Sequence, residues 1–194
     1  MALKDLKQLD ESNSSEQGQF MFKLGLSDVL RATMFGTIIA VTNDILRLPL
    51  HMPGHSSLYW MGILLIGKGL IKKFGSGITI GIVSGILAVV LGMGKEGVFV
   101  FFKYFIPGLL IDFLVPFFRY KLESIGVAAV CGALASLSKL AVNIILGIIL
   151  NVPMLFLTLG LGYAAIAHAL YGAIGGVLAA IIIKRLKPRL SNWE

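Results

Sequence analysis

The sequence predicts an all-α integral membrane protein with six transmembrane helices and both termini in the cytoplasm. Three observations lead to this fold class. The 194 residues are 57% hydrophobic and 14% charged, and a soluble domain of this size could not bury so much apolar surface. Six apolar segments follow one another, and the basic residues cluster at alternate ends of these segments. The predicted organisation is a polar cytoplasmic tail over 1–27, a membrane domain over 28–185 and a basic cytoplasmic tail over 186–194.

The apolar segments define the predicted membrane spans. Most approach the length of about 20 residues that a helix needs to cross the hydrocarbon layer. The second segment is short, and the sixth is long enough that we expect it to tilt or to begin irregularly near the surface. The six predicted spans are Val29–Leu48, Ser57–Lys72, Gly77–Met93, Gly97–Phe118, Ile125–Leu150 and Val152–Ile183.

The distribution of charge orients these spans. All but four of the 17 basic residues fall on one side of a six-span arrangement, the exceptions being Arg47, Lys95, Lys103 and Lys139. Cytoplasmic loops of membrane proteins carry an excess of Lys and Arg, so this side is predicted to be cytoplasmic. The net charge of +7 is therefore a topology signal, and we expect contact with membrane lipid and no nucleic-acid partner.

Motifs for enzymatic chemistry are missing from the sequence. The stretch Gly92–Gly97 lacks the glycine and lysine spacing of an ATP-binding P-loop. The serine of Gly81–Gly85 stands one place too late for a nucleophile elbow. No H-E-x-x-H motif occurs, and the single cysteine, Cys131, excludes an internal disulfide. We therefore expect neither an enzyme nor a bound cofactor or resident metal.

Ionisable residues inside predicted spans indicate a binding site, because such residues are costly in a membrane. Lys103 and Asp112 point to opposite faces of the fourth span and lie about 13 Å apart along it, so we assign Lys103 to an external site and Asp112 to a structural role. On the fifth span, four residues share one face, namely Gly132, Ser136, Lys139 and Asn143. We predict an outward-opening cavity, whose substrate-binding candidates are Lys103, Lys139, Asn143, Ser136, His168, Tyr163, Tyr104 and His55.

Several of these residues have an alternative structural interpretation. Lys139 could form an ion pair with Asp112 or Asp44, and His168 could be a hydrogen-bonded core histidine. Lys68 lies near the cytoplasmic end of its span, where its chain would extend toward water. His51 and His55 form a weak metal-binding pattern, which is better explained as part of a loop that covers the cavity.

Small residues recur at four-residue spacing on several spans. On the first span they are Ala32, Gly36 and Ala40. Such a ridge lets helices approach closely in lipid. It serves either packing within the chain or docking of another membrane subunit.

The pattern resembles the substrate-binding S components of energy-coupling factor (ECF) transporters, a prokaryotic class of ABC importer for vitamins and metal ions. The resemblance rests on length, six spans, the ridge of Ala32, Gly36 and Ala40, the stretches Pro107–Asp112 and His168–Ala180, and the missing ATP-binding motif. It implies an S-component bundle in a prokaryotic cell membrane. It also implies external substrate capture, a transmembrane coupling subunit that docks on the ridge, and two ATPase subunits.

The two lysines favour an anionic or strongly hydrogen-bonding micronutrient, such as a vitamin or its precursor, as the substrate. Metal-specific members of the family carry a histidine near the start of the chain, where this sequence has Ala2, Leu3 and Lys4. An S component for a metal ion or metal-containing cofactor is one alternative. The other is a stand-alone secondary carrier in which Asp44, Asp112 or His168 relays protons.

Overall fold

The computed structural model describes residues 24–45, 55–94, 96–150 and 161–190, and these residues form helices and short connections without a β-strand. The predicted spans correspond one to one with its helices. A single 3₁₀ turn, Gly97–Phe99, leads into the fourth helix. The helices are α1 Leu26–Ile45, α2 Ser56–Ile71, α3 Ser76–Val90, α4 Val100–Phe117, α5 Ile125–Ile149 and α6 Leu161–Leu190. Predictions that concern His51, the tail up to residue 23 and residues 152–160 lie outside the described part.

Three helical stretches are long and apolar enough to cross a membrane: Gly97–Phe117, Ile125–Ile149 and Leu161–Lys187. Helices α2 and α3 are apolar but shorter. The all-helical, membrane-type architecture is thus confirmed. The six crossings and their orientation stay predictions.

Small residues bring the helices into close contact. The most extensive contacts join α5 to α6, α3 to α4 and α2 to α6. A Cβ atom added to Gly77 on α3 would lie 2.7 Å from the carbonyl oxygen of Gly108 on α4, and one added to Gly81 would lie 2.9 Å from that of Tyr104. Only glycine leaves room for backbones at this separation, so this ridge packs α3 against α4.

The small-residue ridge of α1 is also used inside the chain. Ala32 and Ala40 are fully buried. A Cβ atom on Gly36 would lie 2.8 Å from Cβ of Val83 on α3. The structure therefore places the ridge in an intramolecular contact, not on a surface that is open to another subunit.

A buried ion pair joins α2 to α4 at the end of the bundle where α2 ends and α3 begins. The ammonium of Lys68 contacts the carboxylate of Asp112, and both side chains are fully buried. Asp112 also accepts hydrogen bonds from the amides of Gly77 (3.1 Å) and Ile78 (2.7 Å) in the first turn of α3. Lys68 donates a further bond of 2.8 Å to the carbonyl of Lys73. Asp112 thus satisfies free amides at the helix start.

Two sequence interpretations are corrected by this pair. Lys68 does not extend toward water, because it turns inward to Asp112 and Lys73. Asp112 is held by Lys68 and the start of α3, so Lys139 does not pair with it. The structural role predicted for Asp112 agrees with these contacts.

A second charged cluster lies at the same end of the bundle. Glu123, in the connection between α4 and α5, contacts Lys187 at 2.7 Å and Lys72 at 3.5 Å. The hydrogen bond from Lys187 holds the pKa of the Glu123 carboxyl below its ordinary value. Asp28 and Lys73 form another pair at 2.6 Å. These contacts tie the ends of the helices together on the predicted cytoplasmic side.

Candidate functional site

A cavity of about 320 Å³ lies at the opposite end of the bundle from the charged clusters. The end of α1, the start of α2, the connection after α3, the N-terminal half of α4 and the C-terminal half of α5 surround it. Its volume is at the lower end of the range of about 300–1,000 Å³ for small-molecule sites. The residues that line it are Asn43, His55, Ser56, Met93, Gly94, Val100, Lys103, Tyr104, Lys139 and Asn143.

Lys139 is the buried cation of this cavity. Its side-chain nitrogen lies 4.8 Å from the centroid of the Trp60 ring and 5.5 Å from that of Tyr104. The two rings contact each other at a centroid distance of 5.5 Å. Among the residues that the structure describes, no carboxylate lies within 4 Å of this nitrogen. The aromatic faces attract the cation but do not neutralise its charge.

Lys103, in contrast, has a carboxylate partner. Its nitrogen lies 2.7 Å from Oε1 of Glu96, just before the 3₁₀ turn. The adjacent Gly94 has a φ of +114°, and a Cβ atom there would lie 2.8 Å from Oε2 of Glu96. The backbone conformation thus favours glycine at this position, and the missing side chain leaves room for the carboxylate.

Amide side chains supply the uncharged polar groups of the cavity. Asn43 on α1 donates a hydrogen bond to the hydroxyl of Tyr104, which lies 4.0 Å from Sδ of Met93. Asn143 lies one turn beyond Lys139 on α5, and its Oδ1 is buried with no hydrogen-bond partner in the described residues. A buried acceptor without a donor costs free energy, which a bound polar molecule would recover.

The structure brings together five of the eight predicted substrate-binding residues: Lys103, Tyr104, Lys139, Asn143 and His55. The other three lie elsewhere. Tyr163 is 62% exposed on the outside of the bundle. Ser136 and His168 form a buried cluster with Ser57, in which Nδ1 of His168 lies 3.1 Å from Oγ of Ser136 and 3.3 Å from Oγ of Ser57.

His168 therefore has the geometry of a hydrogen-bonded core histidine, the alternative that its sequence position left open. Ser136 shares the helix face of Lys139 but is covered by α6, because Gly172 lets the two helices approach closely. Tyr163 faces outward because helix periodicity turns it away from the side that His168 presents to the bundle.

Glu96 and Asn43 are among the site residues that were not predicted from the sequence. Glu96 precedes Lys103 by seven residues, a spacing that places both on one side of a continuous helix, and this spacing could have indicated the pair. Asn43 carried no comparable signal, because its contact depends on the bundle bringing the end of α1 within reach of Tyr104 on α4.

The donor set does not form a metal centre. Among the described residues, no three or more His, Cys, Asp or Glu side chains are grouped so that they could hold a metal ion. Cys131 is buried, and the cavity is lined by two lysines.

Long apolar helices around a polar cavity at one end of the bundle define a membrane protein that can hold a small solute. Residues 29–138 match the family model described as ABC-type cobalt transport system, permease component. The match covers more than half of the 194 residues, and the chain belongs to this family. No curated protein and no solved structure matches the chain. The protein is thus a membrane-integral component of an ABC-type transporter.

Proposed function

We propose that the chain is the substrate-capture (S) subunit of an ECF-type ABC importer in a prokaryotic cell membrane. It binds a small anionic micronutrient, such as a vitamin or its precursor, from the external side. A transmembrane coupling subunit and two ATPase subunits then drive delivery to the cytoplasm. The observation that carries this proposal is the buried ammonium of Lys139, which lies in a polar cavity and has no carboxylate partner among the described residues.

A buried charge is costly unless it is paired. The rings of Trp60 and Tyr104 offset part of this cost for Lys139. An anionic group in the cavity would complete the pairing through a charge-assisted hydrogen bond, which is typically worth about 1.5–3 kcal/mol. Asn143 and Asn43 would orient the rest of the molecule.

The positions of the charges support external capture. Lys72, Lys73, Lys121 and Lys187 lie at the end of the bundle away from the cavity. Basic residues are enriched on the cytoplasmic side of membrane proteins. If the six helices all cross the membrane, both termini are cytoplasmic and the cavity faces outward.

A second candidate is a metal-containing substrate, because the family description names cobalt transport. The ammonium of Lys139 would repel a bare divalent cation, and the described residues contain no histidine or carboxylate cluster that could hold one. A metal would therefore have to enter within a complex whose own ligands are anionic or strongly hydrogen-bonding.

The test is to purify the full chain from its native membrane and to identify the proteins that co-purify with it. Mass spectrometry then determines the masses of the small molecules that are released on denaturation. We expect ATPase subunits, uptake that requires ATP hydrolysis, and an organic anion that is present in the parent and missing from Lys139→Met. Stoichiometric cobalt in the released fraction would favour the second candidate. Uptake by the chain alone, without ATPases, would instead indicate a secondary carrier.

A further inference from the structure

The two lysines of the cavity differ in charge compensation, and this difference bears on which anions the cavity accepts. Resting on the proposed capture function, we infer that Glu96 sets the charge selectivity of the site. It neutralises Lys103 within the chain, so that Lys139 alone is available for the ligand. The preferred ligand then carries a single negative charge at the group that enters the cavity.

The ion pair of Lys103 and Glu96 is built into the protein. The separation of 2.7 Å is that of a charge-assisted hydrogen bond, and the exposed fractions of the two side chains are only 16% and 27%. The pair is thus screened less by water and salt than a surface pair would be. Gly94 keeps open the space that the Glu96 carboxylate occupies.

Counting the charges of Lys103, Glu96 and Lys139 gives one cation that these residues do not compensate. Lys103 and Glu96 cancel, and Lys139 has aromatic neighbours but no carboxylate within 4 Å among the described residues. A monoanion would therefore neutralise the site. A dianion would bring a second negative charge into the cavity. That charge would either stay unpaired or displace Glu96 from Lys103, and in both cases one negative charge would be buried without compensation, which is costly.

Trp60 provides a probe of this charge balance that needs no knowledge of the natural ligand. The chain has two tryptophans, so a Trp193→Phe background leaves Trp60 as the sole indole, 4.8 Å from the Lys139 nitrogen. Iodide, a monovalent anionic quencher, and acrylamide, a neutral one, are compared on the full chain in detergent at one fixed pH. Sulfate at constant ionic strength serves as the dianionic competitor.

In Glu96→Gln we expect the ratio of iodide to acrylamide quenching to rise at least about threefold, because one more cation is uncompensated. Sulfate should then compete at concentrations at least about tenfold lower than in the parent. Lys103→Met should lower this ratio, because it removes a positive charge and keeps the negative charge of Glu96. The double variant should return toward the parent ratio.

Glu123→Gln is the matched control, because Glu123 is also ion-paired to lysine but lies at the other end of the bundle. It should leave both quenching constants unchanged. The inference is overturned if Glu96→Gln has the same quenching ratio and the same sulfate competition as the parent, or if Lys103→Met raises the ratio. Should Glu96→Gln fail to fold, the result for Lys103→Met is the test. These outcomes are separate from those of the capture proposal, since quenching requires neither ATPases nor a released molecule.

Discussion

The ammonium of Lys139 lies 4.8 Å from the centroid of the Trp60 ring, inside the bundle and beside an open cavity. An aromatic face attracts a cation but leaves its charge intact, so the position is suited to a molecule that brings an anion. Lys103 lines the same cavity but contacts Glu96 at 2.7 Å. Two lysines that look equivalent in the sequence therefore have different surroundings in the structure.

Replacing Lys139 by methionine keeps the length of the side chain and removes its charge. We expect the affinity for the released anion to fall about ten- to a hundredfold, which corresponds to a charge-assisted hydrogen bond. Isothermal titration of the purified chain measures this change. Lys121→Met, in the exposed connection between α4 and α5, is the matched control and should bind like the parent. Equal affinity in the two variants would remove Lys139 from the site.

Breaking the pair of Lys68 and Asp112 should destabilise the protein without affecting the cavity. Removing one partner of a buried ion pair typically costs about 3–5 kcal/mol, because the other charge stays buried alone. Asp112→Ala also removes the acceptor for the amides of Gly77 and Ile78. We expect lower yield and a lower melting temperature for Lys68→Met and Asp112→Ala, with anion affinity of the folded fraction within about threefold of the parent. A large loss of affinity at unchanged melting temperature would contradict the structural role.

Gly36→Leu tests whether the α1 ridge packs within the chain. A Cβ atom at Gly36 would already lie 2.8 Å from Cβ of Val83 and 3.0 Å from the carbonyl oxygen of Ile80. Overpacking of this kind typically costs about 1–3 kcal/mol, so the melting temperature should fall. Ile38→Leu, at a position 46% exposed on α1, should behave like the parent. If Gly36→Leu instead folds normally and loses only coupled uptake, the ridge is a docking surface after all.

The Glu123 cluster predicts a pH dependence of stability. The hydrogen bond from Lys187 lowers the carboxyl pKa in the folded protein, so folding favours the ionised form. The ionised Glu123 carboxylate contributes to the free energy of unfolding at a pH above its ordinary pKa of 4.5. This contribution is lost as the pH falls through the lowered pKa of the folded protein. Because these side chains are partly exposed, the effect should be below about 1 kcal/mol. The melting temperature of Glu123→Gln should therefore fall less on acidification than that of the parent; an identical fall would show that Glu123 contributes nothing.

The orientation can be tested by labelling with a membrane-impermeant thiol reagent in intact cells. In a Cys131→Ala background, a cysteine at Ser56, which lines the cavity, should react from outside. A cysteine at Lys121 should react only after the membrane is permeabilised. The reverse pattern would place the cavity on the cytoplasmic side.

Local properties of the chain were enough to predict the helices and part of the site. Apolar runs of sufficient length become helices in any arrangement, because backbone hydrogen bonds must be satisfied within the segment. Lys139 and Asn143 fall on one helix face by periodicity alone. The separation of about two and a half turns between Lys103 and Asp112 likewise assigned them to different ends of α4. These features depend on spacing along the chain.

The partners of these residues depend on which helices become neighbours, and spacing carries no information about that. Only the packing of α2 and α4 beside α5 brings Trp60 and Tyr104 to Lys139. Close approach of α5 and α6 covers Ser136, and contact of α1 with α3 buries the ridge around Gly36. Lys68 turns inward because Asp112 lies within reach on another helix. Burial and charge pairing are properties of the assembled bundle, so they separate Lys139 from the ion-paired Lys103 and Lys68, which the sequence does not distinguish.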